Sequence, residues 1–341
     1  MLLADPLWKA YLALTAVCIF WGTTYLAIRM ALEAFSPAVL VSTRFLISGF
    51  ILLAIGLARG VRFPPAGALW ITALCGFLIL GIGNGAVTLA ELLIPSGLTG
   101  LIVTISPFWL VGLEAALGGE RLHMPAIAGM LVGLCGAAML LTPSNPEAWA
   151  SAGFGLGANT IQGFLLLQVG MASWSFGSLV QRRQPLRLHP VMVGAVQQIA
   201  AGLSFIPLAL ATHSKPVDWG SRGVLAMLYL VMFGSIVGYS AYVYAMDRLP
   251  VAVVSIYPYV NAVVAVALGW LFYSEPFGTR EALAMAIIFA GVGLVKWHSR
   301  HLTAMPGKRS ESASESVLLE NFRAQRAARG TDHGHEDEHK E

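Results

Sequence analysis

The sequence predicts an all-α integral membrane protein of about ten transmembrane helices, built as two inverted five-helix repeats. Three observations carry that expectation. The 341 residues are 57% hydrophobic and only 11% charged, where a soluble domain carries about a quarter charged. Apolar runs near the ~20 residues that cross a ~30 Å hydrocarbon core follow one another along most of the chain. Residue identities also recur at a long fixed spacing. Gly83, Pro95, Glu120 and Gly136 return 155 residues later as Gly238, Pro250, Glu275 and Gly291, and Trp21, Pro37 and Gly49 pair at 153 with Trp174, Pro190 and Gly202. Seven identities in order, with one two-residue shift, mark an internal duplication.

Taken in order, the predicted helices are 10–30, 37–58, 67–88, 96–117, 125–143, 161–181, 190–212, 223–245, 251–273 and 279–298. Their ends carry Pro37, Pro64, Pro65, Pro95, Pro125, Pro143, Pro190, Pro216, Pro250 and Pro276, residues suited to helix starts and connections. Inside lipid the backbone must pair with itself, which segments this long do as helices. Asp5 precedes the first apolar run and the run is span-length, so it reads as a retained helix and not a cleaved leader. Repeat one is placed at 8–143, a connecting loop at 144–160 and repeat two at 161–300. The remainder, 301–341, is poor in large apolar residues and is expected to be a disordered cytoplasmic tail. Its His333, His335 and His339 read as solvated residues before they read as a metal sensor.

Charge sets the orientation. With a cytoplasmic N-terminus, the inner connections hold Lys9, Arg59, Arg62, Arg121, Arg182, Arg183, Arg187, Arg248, Lys296 and Arg300, against Lys215, Arg222 and Arg280 outside. That excess is expected to place both termini on the cytoplasmic side. Five spans per copy is an odd number, so the second copy enters the membrane upside down. Inverted repeats of this kind are a recurring plan of secondary transporters, with the substrate site near the midplane where the repeats meet.

The chemistry of known catalytic motifs is missing from the sequence. It has no Walker loop, GxSxG, HExxH or intramembrane carboxylate pair, so no enzyme, cofactor or metal site is expected. Cys18, Cys75 and Cys135 lie scattered in apolar runs and read as buried small hydrophobes. The expected partners are a small-molecule substrate and the lipid bilayer, with no nucleic acid. Gly129, Gly133, Gly136, Gly291 and Gly293 give the fifth and tenth helices small-residue faces that suit helix packing or a homodimer contact.

Several local sequences resemble EamA-type transporters of the drug/metabolite transporter superfamily. They are Phe20-Trp21-Gly22-Thr23-Thr24-Tyr25, Arg44-Phe45, Gly83-Asn84-Gly85 with Glu91, Gly119-Glu120-Arg121, Ser173-Trp174-Ser175-Phe176-Gly177 and Tyr259-Val260-Asn261. The stretch from Tyr257 to Trp270 is similar to the YedA-like branch of uncharacterised bacterial inner-membrane members. Ala262 stands where the family often has a second proline paralleling Pro107, and Ser274-Glu275-Pro276 lacks the usual Gly before Glu. The resemblance implies two EamA repeats and alternating-access transport of small organic metabolites, often outward.

Arg44 is the sharpest candidate for binding substrate. It lies seven residues after Pro37, and its repeat partner Gln197 lies seven after Pro190; the pair is expected at equivalent depths of the facing halves. A guanidinium fork suits a carboxylate or phosphate, while snorkelling to the interface or a structural pair fits the same position. Trp21, Tyr25 and Trp174 can line the cavity or pack beside Gly22 and Gly177. Asn84, Thr88 and Glu91 share a helix face at i, i+4 and i+7. Glu91, opposite Met246 in the other copy, is either a proton-coupling carboxylate or an exposed helix-end residue. Tyr239, Tyr242 and Asn261 are candidates for an aromatic, hydrogen-bonding wall, Arg29 and Arg182 for helix-end anchors, and Glu114 for a snorkelling partner of Arg121. Two other readings are an intramembrane enzyme on a lipid-linked metabolite, which lacks a catalytic group at depth, and a scaffold or sensor acting through the tail.

Overall fold

The computed structural model describes residues 7–94, 96–119, 124–141, 158–185, 188–211, 221–264 and 278–303. The chain divides into two units, 1–296 and 297–341; of the second, residues 297–303 are described and continue the last helix. Expectations placed on Pro95, Glu120, Arg121, Arg187, Lys215, Trp270, Glu275 and the tail beyond 303 lie outside the described residues.

All the described elements are helical. The first span is Leu7–Gly22 and Thr24–Ala34, the second Pro37–Ala58, the third Ala66–Ala90, the sixth Ala158–Arg182, the seventh Pro190–Ala211 and the eighth Arg222–Arg248. Five of these cross a membrane by length and composition as single helices, and the first does so as a bent pair. The fourth is Ser96–Val103 with Ser106–Ala116, and the fifth is Met124–Leu141. The ninth is apolar over Val251–Val264, and the tenth is Thr279–Thr303. The sixth helix begins at Ala158, three residues inside the expected loop, and the tenth runs three residues into the expected tail.

Sequence chemistry explains the departures from straight helices. The first span bends by 42° at Thr23. Thr23 Oγ1 donates to Phe20 O at 2.7 Å and Thr24 Oγ1 to Trp21 O at 2.8 Å, and two hydroxyls drawing carbonyls off the helical ladder bend it. The fourth span breaks at Thr104–Ile105 and the ninth at Ser255–Ile256. Each break falls three and two residues before a proline, Pro107 or Pro258, whose ring clashes with the carbonyl four residues back. The ninth span therefore breaks through Pro258 even though Ala262 replaces the family's second proline. The third and eighth spans contain π-helical stretches, Phe77–Asn84 and Leu230–Val237, at the same 153-residue offset that pairs the tryptophans.

The packing has the two-fold logic of the duplication. The second span lies against the seventh, the first against the eighth and the third against the sixth. Exchanging the halves turns the first–eighth contact into the sixth–third and the second–seventh into itself. The fifth and tenth spans meet through glycines: a Cβ at Gly291 would stand 2.6 Å from Gly129 O, and one at Gly136 would stand 2.9 Å from Ile288 N. These faces are thus used for packing within the chain. Leu12, Phe50, Trp70, Leu165, Leu203 and Phe289 are exposed, an apolar exterior suited to hydrocarbon. Cys18 and Cys75 are buried as expected, whereas Cys135 is exposed; its position on the fifth helix faces outward, which the apolar run around it does not reveal.

Candidate functional site

A cavity of about 80 Å³ lies between the halves. It is lined by Trp21, Thr24 and Tyr25 of the first span, Arg44 and Phe45 of the second and Asn84 of the third. Ser106, Trp174, Gly234, Tyr239, Tyr257 and Asn261 complete its polar and aromatic wall. Because it takes the last half of the third span and the first half of the second, it belongs to the end where the even-numbered helices of the first repeat begin.

Arg44 reaches into this cavity and not to the interface. It is 4% exposed, too buried for snorkelling. Its Nε donates to Ser235 Oγ at 2.8 Å, and its guanidinium sits 4.9 Å from the Phe45 ring centre. Gln198 Nε2 donates to Ser235 O at 3.2 Å, and Ser48 Oγ donates to both Arg44 O and Gln198 Oε1. The side chain is thus held by the second, seventh and eighth spans, and its terminal nitrogens are left for the cavity. Among the described residues no carboxylate pairs with it. A buried cation without a counter-ion is costly, so the arrangement suits an anionic ligand group.

The aromatic wall is built by the duplication. Trp21 and Trp174 meet edge to face at 5.4 Å, and Trp21 also packs against Tyr242 and Tyr257, each at 5.2 Å. Glycine makes room for both indoles: a Cβ at Gly238 would lie 2.6 Å from Trp21 Nε1, and one at Gly83 would lie 3.0 Å from Trp174 Cε3. The repeat of Gly83 at Gly238 has this steric cause. The π-helical stretches supply the acceptors. Trp21 Nε1 donates to Gly234 O at 2.9 Å, and Ser173 Oγ donates to Leu78 O at 2.8 Å, carbonyls that a regular α-helix would use internally.

Gln197 does not join Arg44. It lines a second cavity of about 60 Å³ with Ser178, Gln181, Arg182, Tyr242 and Asp247. The physical reason is inversion: seven residues past the start of the seventh helix is the same depth measured from the opposite membrane face. Tyr242 lines this second cavity too, and Tyr239 lines both. Asn261 reaches the first cavity, and its amide nitrogen, oriented to satisfy its surroundings, donates to Tyr257 O and Cys18 O.

Of the candidates Asn84, Thr88 and Glu91, only Asn84 lines the first cavity, with its Oδ1 unpaired. Thr88 is buried and donates to Asn84 O at 3.1 Å. Glu91 is not the exposed helix-end residue allowed above, since both carboxylate oxygens are buried without a hydrogen-bond donor. Glu114 does not snorkel; it pairs at 2.8 Å with Arg183 of the second repeat. Arg29 is exposed, as an anchor should be. Arg182 instead caps the end of the eighth span through Met246 O and Leu249 O. Sequence reasoning missed Ser106, Ser178 and Ser235. A serine beside Gly234 in an apolar helix is the one available signal for Ser235.

The pattern of the EamA-like transporter family matches residues 8–142 and again 161–297. The uncharacterised inner membrane transporter YedA of Escherichia coli is 35% identical over 83% of this chain and 89% of its own length. A probable terminal-alkyne amino-acid exporter of Streptantibioticus cattleyicolor is 27% identical over 88% of this chain and 99% of its own. One solved crystal structure superposes with a TM-score of 0.72 at 26% identity, covering 86% of this chain and 98% of that one. The chain therefore belongs to the EamA-like transporter family of the drug/metabolite transporter superfamily and is a membrane transporter.

Proposed function

We propose that the protein is a secondary exporter of small amphiphilic metabolites bearing a carboxylate, amino-acid-like solutes among them, working by alternating access in a cell inner membrane with both termini cytoplasmic. The observation that carries the reading is Arg44, buried, unpaired by any described carboxylate and flanked by an aromatic cavity. Its fork would take the carboxylate. Trp21, Tyr25, Trp174 and Tyr239 would cover the apolar part, and Asn84 would offer its free amide oxygen to an ammonium or hydroxyl. The name of the Streptantibioticus relative supports both the solute class and the outward direction, and the excess of Lys and Arg on the inner connections supports the orientation. Glu91 would bind and release the coupling proton, since an ionised carboxylate without donors is costly where it lies.

Flux of candidate solutes into proteoliposomes tests the reading. Arg44→Ala should abolish flux of a carboxylate solute while the purified protein stays folded, and Glu91→Gln should leave flux that no longer responds to an imposed pH gradient. Unchanged flux in the Arg44 variant removes it from the site.

A further inference from the structure

The two cavities occupy opposite ends of the bundle. The first takes the start of the second span, while the second takes the last turns of the sixth and eighth spans and the start of the seventh. The side chain of Tyr239 forms a wall of both. Between them stand rings packed in contact, with Tyr239 at 6.0 Å from Tyr242 and Trp174 at 5.6 Å from Tyr242. Neutral hydrogen bonds tie this layer to neighbouring helices. Tyr239 OH donates to Gln197 Oε1 at 2.6 Å, Tyr242 OH to Ser178 Oγ at 2.8 Å and Trp174 Nε1 to Tyr242 OH at 3.0 Å. Gln197 Nε2 in turn donates to Gln181 Oε1 at 3.0 Å.

We infer that the two cavities are the two ends of one translocation path, and that the layer of Tyr239, Tyr242 and Trp174 is its closed gate, latched by Gln197 and Ser178. This rests on the transporter reading above. Three features support it. The latch joins the eighth span to the sixth and seventh through neutral groups, each bond modest in net terms and replaceable by water on opening. The π-helical stretch Leu230–Val237 ends two residues before Tyr239, giving the helix a locally irregular segment next to the gate. The cation of the second cavity is engaged by the backbone, since Arg182 Nη1 donates to Met246 O and Leu249 O. That cavity suits passage, whereas the unpaired Arg44 in the first suits retention.

Cysteine labelling tests this in a background of Cys18→Ala, Cys75→Ala and Cys135→Ala. Ser106→Cys reports on the first cavity, and Gln184→Cys defines the face on which the second opens. A membrane-impermeant maleimide is applied from each face to the full-length protein in membranes. With the gate intact, Ser106→Cys should react only from the face opposite to Gln184→Cys. Adding Tyr239→Phe or Gln197→Ala should raise its reaction from the Gln184 face about fivefold, the population shift that loss of one neutral hydrogen bond gives. Tyr239→Phe keeps the ring, so it removes the bond to Gln197 without opening a void. Unchanged reaction in both variants, with each protein folded by size exclusion and thermal unfolding, overturns the gate. If labelling shifts as expected but no carboxylate flux depends on Arg44, the gate stands and the substrate reading falls.

Discussion

Arg44 and Gln197 are the same position in two copies of one unit, and their surroundings differ in every respect that matters for binding. Arg44 is a buried cation held by Ser235 and open to an aromatic cavity at one end of the bundle. Gln197 is a neutral amide, hydrogen-bonded to Tyr239 and Gln181, at the other end. The difference teaches that an inverted duplication gives a transporter two equivalent ends and that charge then makes them unequal. A symmetric scaffold can open either way; on the proposed reading, Arg44, which has no carboxylate partner among the described residues, would set the end at which an anionic group is held.

The largest expected effect comes from breaking that asymmetry. Arg44→Gln should lower carboxylate flux about hundredfold, the loss of a charge-assisted pair worth about 3 kcal/mol. Gln197→Ala, by contrast, should leave affinity for the carboxylate nearly intact and change the rates of opening. Arg44→Lys separates charge from geometry: partial retention of flux is expected, because an ammonium keeps the charge and loses the fork.

The glycine–tryptophan contacts provide the next comparison. Gly238→Ala should destabilise more than Gly83→Ala, since the added methyl meets Trp21 at 2.6 Å and Trp174 only at 3.0 Å. Overpacking of this kind costs about 1–3 kcal/mol, which thermal unfolding in detergent would resolve. A smaller difference separates the indoles themselves. Trp21→Phe leaves Gly234 O without its donor, while Trp174→Phe leaves Tyr242 still bonded to Ser178. The first should cost about 1 kcal/mol more. The last comparison is at the ion pair between the copies: Arg183 is 36% exposed by side chain but Glu114 only 10%, so Arg183→Gln leaves a largely buried carboxylate without its partner and should cost about 1–3 kcal/mol.

Much of the fold was legible because lipid simplifies the problem. Span length, proline ends and a repeat at fixed offset need no knowledge of contacts, and the second and seventh helices begin at Pro37 and Pro190 as expected. The fine structure was hidden for specific reasons. The bend at Thr23 depends on hydroxyl bonds to the preceding turn, and the π-helical stretches look like any Gly-containing apolar run. For the site, Trp21, Tyr25, Trp174, Asn84 and Asn261 could be read from motif and spacing. Their grouping could not, because it depends on which end of the bundle each side chain reaches. Gln197 lines the other cavity because equivalent depths in inverted halves are measured from opposite faces. Glu114, on one helix face with Arg121 and expected to snorkel, instead pairs with Arg183, 69 positions away, a separation that carries no periodic signal.

The central claim is that Arg44 holds a substrate carboxylate. Its most direct test is flux in proteoliposomes of an exported amino acid, chosen by comparing metabolites outside cells with and without the protein, against flux of the same amino acid's carboxamide. Wild-type protein should carry the acid and discriminate against the amide, and Arg44→Gln should lose that discrimination while remaining folded. Equal flux of acid and amide by the wild type, or unchanged discrimination by the variant, would contradict the account.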